Sequence, residues 1–216
     1  MSRLMVVRHA QASFFDADYD KLSPLGEEQA ALLGKFWDRH GLLPERIVCG
    51  PRQRHRRTAE LVAGQIVDRR TTWPDSEISE HLDEHTLDTL LREKLSVLIP
   101  LYPHLGPMLQ ELKAAVEPLD VQRKFQRLFE ALGKLWREAA PGTESIESWR
   151  DYRSRVSLAV RSHMEQASRN STVVLFTSVG GVAAILADLL GCSDEQAFEL
   201  GWRIRNCAVT EFVFSG

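Results

Sequence analysis

Two short apolar runs constrain the fold of this chain more than any other feature of its sequence. They lie at 3–7, with the sequence RLMVV, and at 172–178, with the sequence TVVLFTS. A strand that is apolar and β-branched along most of its length has both faces buried, which is typical of parallel sheets covered by helices. Shorter strand patterns lie at 46–50 and 207–214. The chain is therefore expected to build a sheet whose central strands are fully buried.

Helical patterns alternate with these strands. One begins at Ser23, a good N-cap, with Pro24 at the first helical position, and Gly41 can end it. Others follow the strands at 46–50 and 172–178. This alternation predicts an α/β fold, a three-layer sandwich in which a mainly parallel sheet carries helices on both faces.

The middle of the chain differs from its two ends. From 87 to about 140 the sequence has few strand signals and several helical stretches with apolar residues at helical spacing. We therefore predict a single domain, 1–216, with a helical insertion at roughly 87–140 that could pack over the sheet as a lid.

Composition and charge exclude several classes of function. The net charge is -3 at pH 7, so no overall basic field is available to recruit nucleic acid. No run approaches the roughly 20 apolar residues of a membrane helix. Cys49, Cys192 and Cys207 form no C-x-x-C pair, which favours a reducing compartment over a disulfide framework. We expect a cytoplasmic protein without nucleic-acid or membrane partners, and the sequence leaves its oligomeric state open.

Cationic and glycine-rich residues follow three of the predicted strands. Arg8 and His9 end the first, the segment 50–60 (GPRQRHRRTAE) follows the second, and 177–181 (TSVGG) follows the third. In α/β sheets, ligands bind outside the carboxyl ends of the strands, where loops lead into helix N-termini. Arginines and the free N–H groups of a helix start suit a phosphate, and a histidine among arginines stays neutral and nucleophilic. These segments predict a phosphate site with a histidine able to accept a phosphoryl group.

Five segments of the sequence form an ordered set of motifs. They are VVRHAQAS, LSPLGEEQA, GPRQRHRRTAE, GTESIESWRDYRSRV and NCAVTEF. In order and spacing they resemble the histidine phosphatase superfamily, which includes the phosphoglycerate mutases. Each motif is weak by itself, but five in register are a strong signal. The resemblance spans the chain except for its helical middle, and it implies a phosphoglycerate mutase-like α/β fold.

The resemblance implies a role for each matching residue. His9 matches the histidine that is transiently phosphorylated, and Arg8 the arginine that holds the phosphate beside it. Arg54 matches a second phosphate clamp suited to bidentate contacts, and Glu84 the acid that protonates the leaving oxygen. The implied activity is that of a metal-independent phosphomonoester hydrolase or phosphotransferase without a cofactor, acting on a phosphorylated small molecule or a phosphoprotein. A phosphatase is favoured over a mutase because nothing in the sequence identifies the longer set of substrate-gripping residues that a mutase needs.

One position departs from the family pattern in a way that bears on catalysis. Where the family has S-H-G-G, this sequence has Ser178, Val179, Gly180 and Gly181. Ser178 and Gly180 are retained as phosphate-binding residues, but the histidine that donates a hydrogen bond to the phosphoryl group is missing. Loss of one such donor typically lowers turnover ~100- to 1000-fold. Two functions therefore stay open: an enzyme with weakened activity, and a protein that binds a phosphorylated ligand or partner without turnover.

Other histidines near these motifs leave further alternatives. Thr177 and Ser178 offer hydroxyls beside the position of the missing histidine, and His55, His81 and His85 lie beside Arg54 or Glu84 in the sequence. One of these groups could reach the phosphoryl oxygens in its place, but we expect that none does. The segment HLDEH also matches the H-x-x-E-H pattern of some zinc proteases, in which His81 and His85 would bind zinc and Glu84 would act as base. This pattern is short and has no evident third ligand, so we do not expect a metal site.

Overall fold

The sheet and its strand order define the architecture of the chain. A computed structural model describes residues 1–13, 20–67 and 73–215. Within these residues, five strands form one sheet: β1 (Ser2–Arg8), β2 (Arg46–Cys49), β3 (Ser76–Ile78), β4 (Thr172–Thr177) and β5 (Val209–Phe214). Their order is β3-β2-β4-β1-β5, and each neighbouring pair is parallel except β1 with β5. The predicted α/β fold with a mainly parallel sheet is confirmed.

The helices follow the alternation that the sequence predicts. They are α1 (Pro24–Arg39), α2 (Gln53–Ala63), α3 (Leu87–Thr89), α4 (Leu95–Leu101), α5 (Leu105–Ala114), α6 (Pro118–Arg137), α7 (Trp149–Glu165), α8 (Val179–Leu190) and α9 (Asp194–Arg203). A 3-10 turn, Glu80–Leu82, precedes α3, and a π-helical turn, Leu90–Lys94, joins α3 to α4. The hydroxyl of Ser23 accepts the N–H of Gly26 at 3.0 Å and so caps α1, as predicted. None of the described helices is both long and apolar enough to cross a membrane.

The central strands are buried on both faces, which their apolar sequences require. Met5 and Val7 of β1 belong to a buried cluster with Trp37 of α1 and Val62 of α2. The alternate residues of β1, such as Val6, are equally buried and point to the opposite face. β3 was not predicted, because its three residues are all exposed and give no apolar signal.

The chain divides into two compact units. The first contains Met1–Glu84 and Arg153–Gly216, and the second is His85–Tyr152. The second unit contains α3 to α6 and has its own apolar core, in which α5 packs against α6. Its fully buried residues include Leu98, Leu105, Leu128 and Leu132. The helical insertion predicted at 87–140 falls inside this unit, and its action as a lid stays a prediction.

The register of the sheet brings three strand ends to one edge. Arg8 at the end of β1 pairs with Thr177 at the end of β4, and Cys49 at the end of β2 pairs with Phe176. The loops that leave these strands therefore begin side by side, which places the predicted functional segments in one cluster.

Candidate functional site

His9 lies at the centre of the cluster and has a fixed orientation. Its side chain is buried, and its backbone N–H donates to the carbonyl of Thr177 at 2.9 Å. The ring nitrogen Nδ1 lies 2.7 Å from the carbonyl oxygen of Ala10. Because a carbonyl oxygen only accepts, Nδ1 carries the proton, and the lone pair of the neutral ring is on Nε2.

The surroundings of His9 keep its ring uncharged. The pKa of His9 is lowered to about 3, first by burial and then by the positive charges of Arg54 and Arg8. The Ala10 carbonyl and the carboxylate of Glu84 oppose this shift. His9 is therefore neutral at physiological pH, with Nε2 available as a nucleophile.

A hydrogen-bonded frame holds the backbone around His9. The N–H of Ala10 donates to Oγ1 of Thr58 at 3.1 Å, and that hydroxyl donates to the carbonyl of Arg54 at 2.6 Å. The side-chain amide of Asn206 donates to the carbonyl of His9 at 2.9 Å. Thr58 and Asn206 lie in the motifs GPRQRHRRTAE and NCAVTEF, but their place in these motifs predicts no role for them. Only the folded chain shows which backbone groups their side chains contact.

Arg54 is a buried cation with several polar partners. Its side chain is 6% exposed, and Nη1 lies 2.8 Å from Oδ1 of Asp20. Nη2 lies 3.6 Å from Oε2 of Glu84 and donates to Oγ of Ser178 at 3.4 Å. Asp20 also accepts the N–H of Gln53 at 2.8 Å, so one carboxylate binds both the start of α2 and the guanidinium of Arg54. Asp20 was missed by the sequence analysis because it lies outside the segments that follow the strands.

The other predicted cations and the predicted acid lie in the same unit. Arg8 is half-buried, and its guanidinium donates to the carbonyl of Ile204. Glu84 is 13% exposed at its side chain and faces Arg54. Arg52 is directed to a different partner, the carboxylate of Asp83 at 2.5 Å. The structure thus brings His9, Arg8, Arg54 and Glu84 together.

The start of α8 carries the remaining predicted residues. Ser178 is the N-cap residue, but its hydroxyl makes no capping hydrogen bond and instead lies 2.5 Å from Nε2 of His55. Gly180 is buried in the first turn of α8. Val179 is half-buried, and its side chain packs beside Gly201 of α9. A Cβ atom added to Gly201 would lie 3.5 Å from Cγ2 of Val179.

The three histidines noted in the sequence have different surroundings. The ring of His55 is fully buried, with its centroid 5.6 Å from that of His9. His81 is exposed, whereas His85 packs against Trp136 and Tyr152 inside the second unit. The 3-10 turn ends at Leu82 and the backbone is extended at the next residue, so the H-x-x-E-H pattern does not lie on one helix face. Among the described residues, no three His, Cys, Asp or Glu side chains come together as metal ligands.

Comparisons with known proteins give the family and the fold of this chain. The family model of the histidine phosphatase superfamily (branch 1) matches residues 4–89 and 107–216. Similar solved structures include YhfR of Bacillus stearothermophilus (18% identity, TM-score 0.68, covering 100% of this chain and 93% of that chain). Another is a phosphoglycerate mutase of Bacillus anthracis (19% identity, TM-score 0.64, covering 97% of this chain and 86% of that chain). A third is a phosphoserine phosphatase variant of Entamoeba histolytica in complex with phosphoserine (14% identity, TM-score 0.65, covering 100% of this chain and 92% of that chain). Among curated proteins, none matches the sequence.

Proposed function

Since the chain belongs to the histidine phosphatase superfamily, we propose that it is a metal-independent phosphatase that forms a phosphohistidine on His9. The observation that carries this proposal is the state of the His9 ring. It is buried and neutral, it donates through Nδ1, and it lies among the charges of Arg8 and Arg54. A neutral imidazole in a cationic pocket is suited to attack the phosphorus of a bound phosphomonoester.

The reaction takes place in two steps. In the first, the phosphomonoester binds with one proton, which the Glu84 carboxylate takes up. The lone pair of His9 Nε2 then attacks phosphorus, the bond from phosphorus to the ester oxygen breaks, and Glu84 gives the proton to that oxygen. In the second, a water attacks the phosphohistidine, gives a proton to Glu84, and inorganic phosphate leaves with His9 restored. Arg8 and Arg54 stabilise the negative charge on the phosphoryl oxygens in both transition states.

The substrate that we propose is a phosphorylated small molecule. His9 is only 6% exposed, so little of its ring is open to a bulky substrate. The similar structures include a phosphoserine phosphatase and a phosphoglycerate mutase, which are enzymes of phosphorylated metabolites by their names. A phosphopeptide is the second substrate class to assay, and a cytoplasmic location belongs to the same proposal.

A second candidate function is phosphate binding without turnover. It is favoured by one observation: Val179 stands where a hydrogen-bond donor to the phosphoryl group is expected, and valine has no donor. In this case His9, Arg8 and Arg54 would bind the phosphate of a ligand or partner, and the phosphohistidine would not form at a useful rate.

Hydrolysis of p-nitrophenyl phosphate by the wild type and by His9→Ala separates the two functions. For the enzyme, we expect turnover by the wild type that falls roughly 1000-fold or more in the variant, since the nucleophile is lost. A labelled phosphohistidine, trapped by acid-free quenching, should appear only in the wild type. Binding of inorganic phosphate without turnover in either protein would favour the binding function instead.

Restoring the family residue tests what limits the rate. Val179→His is expected to raise kcat by about 100-fold, because it supplies one donor to the transition state. The control is Val179→Leu, which changes the side chain without adding a donor and is expected to leave kcat within about threefold of the wild type. No gain from the histidine would contradict the assignment of position 179.

A further inference from the structure

A serine and a histidine beside the nucleophile form a pair that the family pattern does not contain. We infer that His55 and Ser178 are positioning residues, which hold the guanidinium of Arg54 in the orientation that binds the phosphoryl oxygens opposite His9. The inference rests on the proposed function for its role in catalysis, and on the geometry of the pair for its role in binding.

The contacts join the two residues to Arg54 in one chain. Nε2 of His55 lies 2.5 Å from Oγ of Ser178, and Nη2 of Arg54 lies 3.4 Å from the same oxygen. The guanidinium can only donate, so the hydroxyl accepts from Arg54 and its own proton is available to the lone pair of Nε2. The hydroxyl is thereby fixed in direction between a cation and an imidazole.

The backbone leaves room for the His55 ring. A Cβ at Gly50 would lie 2.3 Å from Nδ1 of His55 and 2.5 Å from the carbonyl oxygen of Leu82. Gly50 follows the last residue of β2, so the ring is packed directly against the strand end at the edge where the site lies. In this place the ring directs Nε2 to Ser178.

The electrostatics of the site explain why this residue is an uncharged histidine. Burial lowers the pKa of His55 well below its ordinary value, and His9, Arg54 and Arg52 add to the shift. A neutral imidazole adds no positive charge next to these cations, yet it still bonds to the hydroxyl of Ser178. A residue with a permanent charge, such as lysine, would repel Arg54 in the same position.

The pair acts on Arg54 together with two carboxylates. Asp20 and Glu84 attract the guanidinium through charge, and the Ser178 hydroxyl fixes Nη2 from a third direction. A bidentate contact with a phosphoryl group depends on the plane of the guanidinium. A misplacement of ~1 Å at such a contact lowers the rate by about 100-fold.

Variants of both residues test the inference with two readouts. The first readout is kcat and KM for p-nitrophenyl phosphate, and the second is the Kd for inorganic phosphate measured by calorimetry. His55→Ala and Ser178→Ala are each expected to lower kcat/KM by roughly 10- to 100-fold and to weaken phosphate binding by about tenfold. The kcat/KM of the double variant should be no lower than that of the less active single variant, because the two residues act on Arg54 as a unit.

A conservative replacement separates positioning from a loss of structure. His55→Gln places an amide near the position of Nε2 and is expected to recover most of the lost kcat/KM. The matched control is His163→Ala, another buried histidine of the same unit, which contacts Arg46 at the start of β2. This variant should keep the wild-type kcat and Kd even where its unfolding temperature falls.

Each outcome bears on a different statement. Unchanged kcat/KM and Kd in Ser178→Ala, with an active wild type, would overturn the positioning role and leave the proposed function intact. Equal losses in His55→Gln and His55→Ala would also overturn it. A wild type without turnover whose phosphate binding still weakens in the variants would contradict the enzyme and support the pair. Should His55→Ala fail to fold, Ser178→Ala tests the same link by removing a single oxygen.

Discussion

At His9, burial and neighbouring positive charge act in the same direction on one side chain. The pKa of His9 is lowered to about 3 from an ordinary value of 6.5, with burial as the largest cause, followed by Arg54 and Arg8. The ring is thus kept neutral at physiological pH. The same shift links the stability of the fold to pH, because the unfolded chain takes up a proton that the folded chain rejects.

The sign of this linkage gives a prediction. Between pH 6.5 and about 3 the unfolded state binds a proton on His9 and the folded state does not. The free energy of unfolding is therefore unaffected by this titration above pH 6.5 and decreases as the pH falls below it. Between pH 8 and pH 5, this one group should lower the free energy of unfolding by about 2 kcal/mol. The variant His9→Gln, which has no titrating ring, should show a correspondingly flatter dependence in urea unfolding measured at several pH values. Equal slopes for the two proteins would mean that His9 is not buried in its neutral form.

At the scale of elements, the start of α2 depends on a residue far from it in sequence. The N-cap residue is Arg52, whose side chain makes no capping hydrogen bond. Asp20 takes this role from a distance of 33 residues, with Oδ2 accepting the N–H of Gln53 and Oδ1 the N–H of Arg54. A carboxylate at this end of a helix is also stabilised by the helix dipole.

Removal of this carboxylate should destabilise the helix start. Asp20→Ala is expected to lower the free energy of unfolding by about 1 kcal/mol, the usual effect of losing an N-cap acceptor. Asp20→Asn keeps one acceptor oxygen and should lose less than half of that amount. Urea unfolding of the three proteins under the same conditions checks both values. Equal losses in the two variants would show that the charge of Asp20, rather than its capping contacts, carries the effect.

At the scale of the whole molecule, each of the two units has a core of its own. Buried leucines of α6, such as Leu132, belong to the second unit, while Val174 of β4 belongs to the core of the first. A unit with its own core can open separately from the rest of the chain. The stability of this protein is therefore expected to differ between the two units.

Matched core substitutions test this expectation by hydrogen exchange. Leu132→Ala removes buried methyl groups from the second unit and should weaken its core by about 2 to 5 kcal/mol. Amides of α6 should then exchange faster, while those of β4 keep most of their protection. Val174→Ala in the sheet is the opposite control, with its largest effect expected at β4. A uniform increase at both elements in both variants would show that the chain opens only as a whole.

Much of the fold and part of the site follow from the sequence itself. Strands with apolar residues at every position must be buried on both faces, and the carboxyl ends of parallel strands meet at one edge. These local patterns were enough to predict the sheet and to bring Arg8, His9 and Arg54 to that edge. They failed for β3, whose exposed residues carry no apolar pattern and whose strand forms only through pairing with β2.

The tertiary structure decided what these residues contact. The pairing of Arg54 with Asp20 joins positions 34 apart, and that of His55 with Ser178 joins positions 123 apart. No periodicity encodes such contacts, because they depend on how the chain returns to the same edge from different strands. The sequence predicted that His9 lies among cationic side chains at a phosphate site and that Val179 stands in the place of a family donor. Only the folded chain shows that His55 of α2 lies beside His9 and contacts Ser178. Burial in the folded chain is also what lowers the pKa of His55 and keeps its ring neutral.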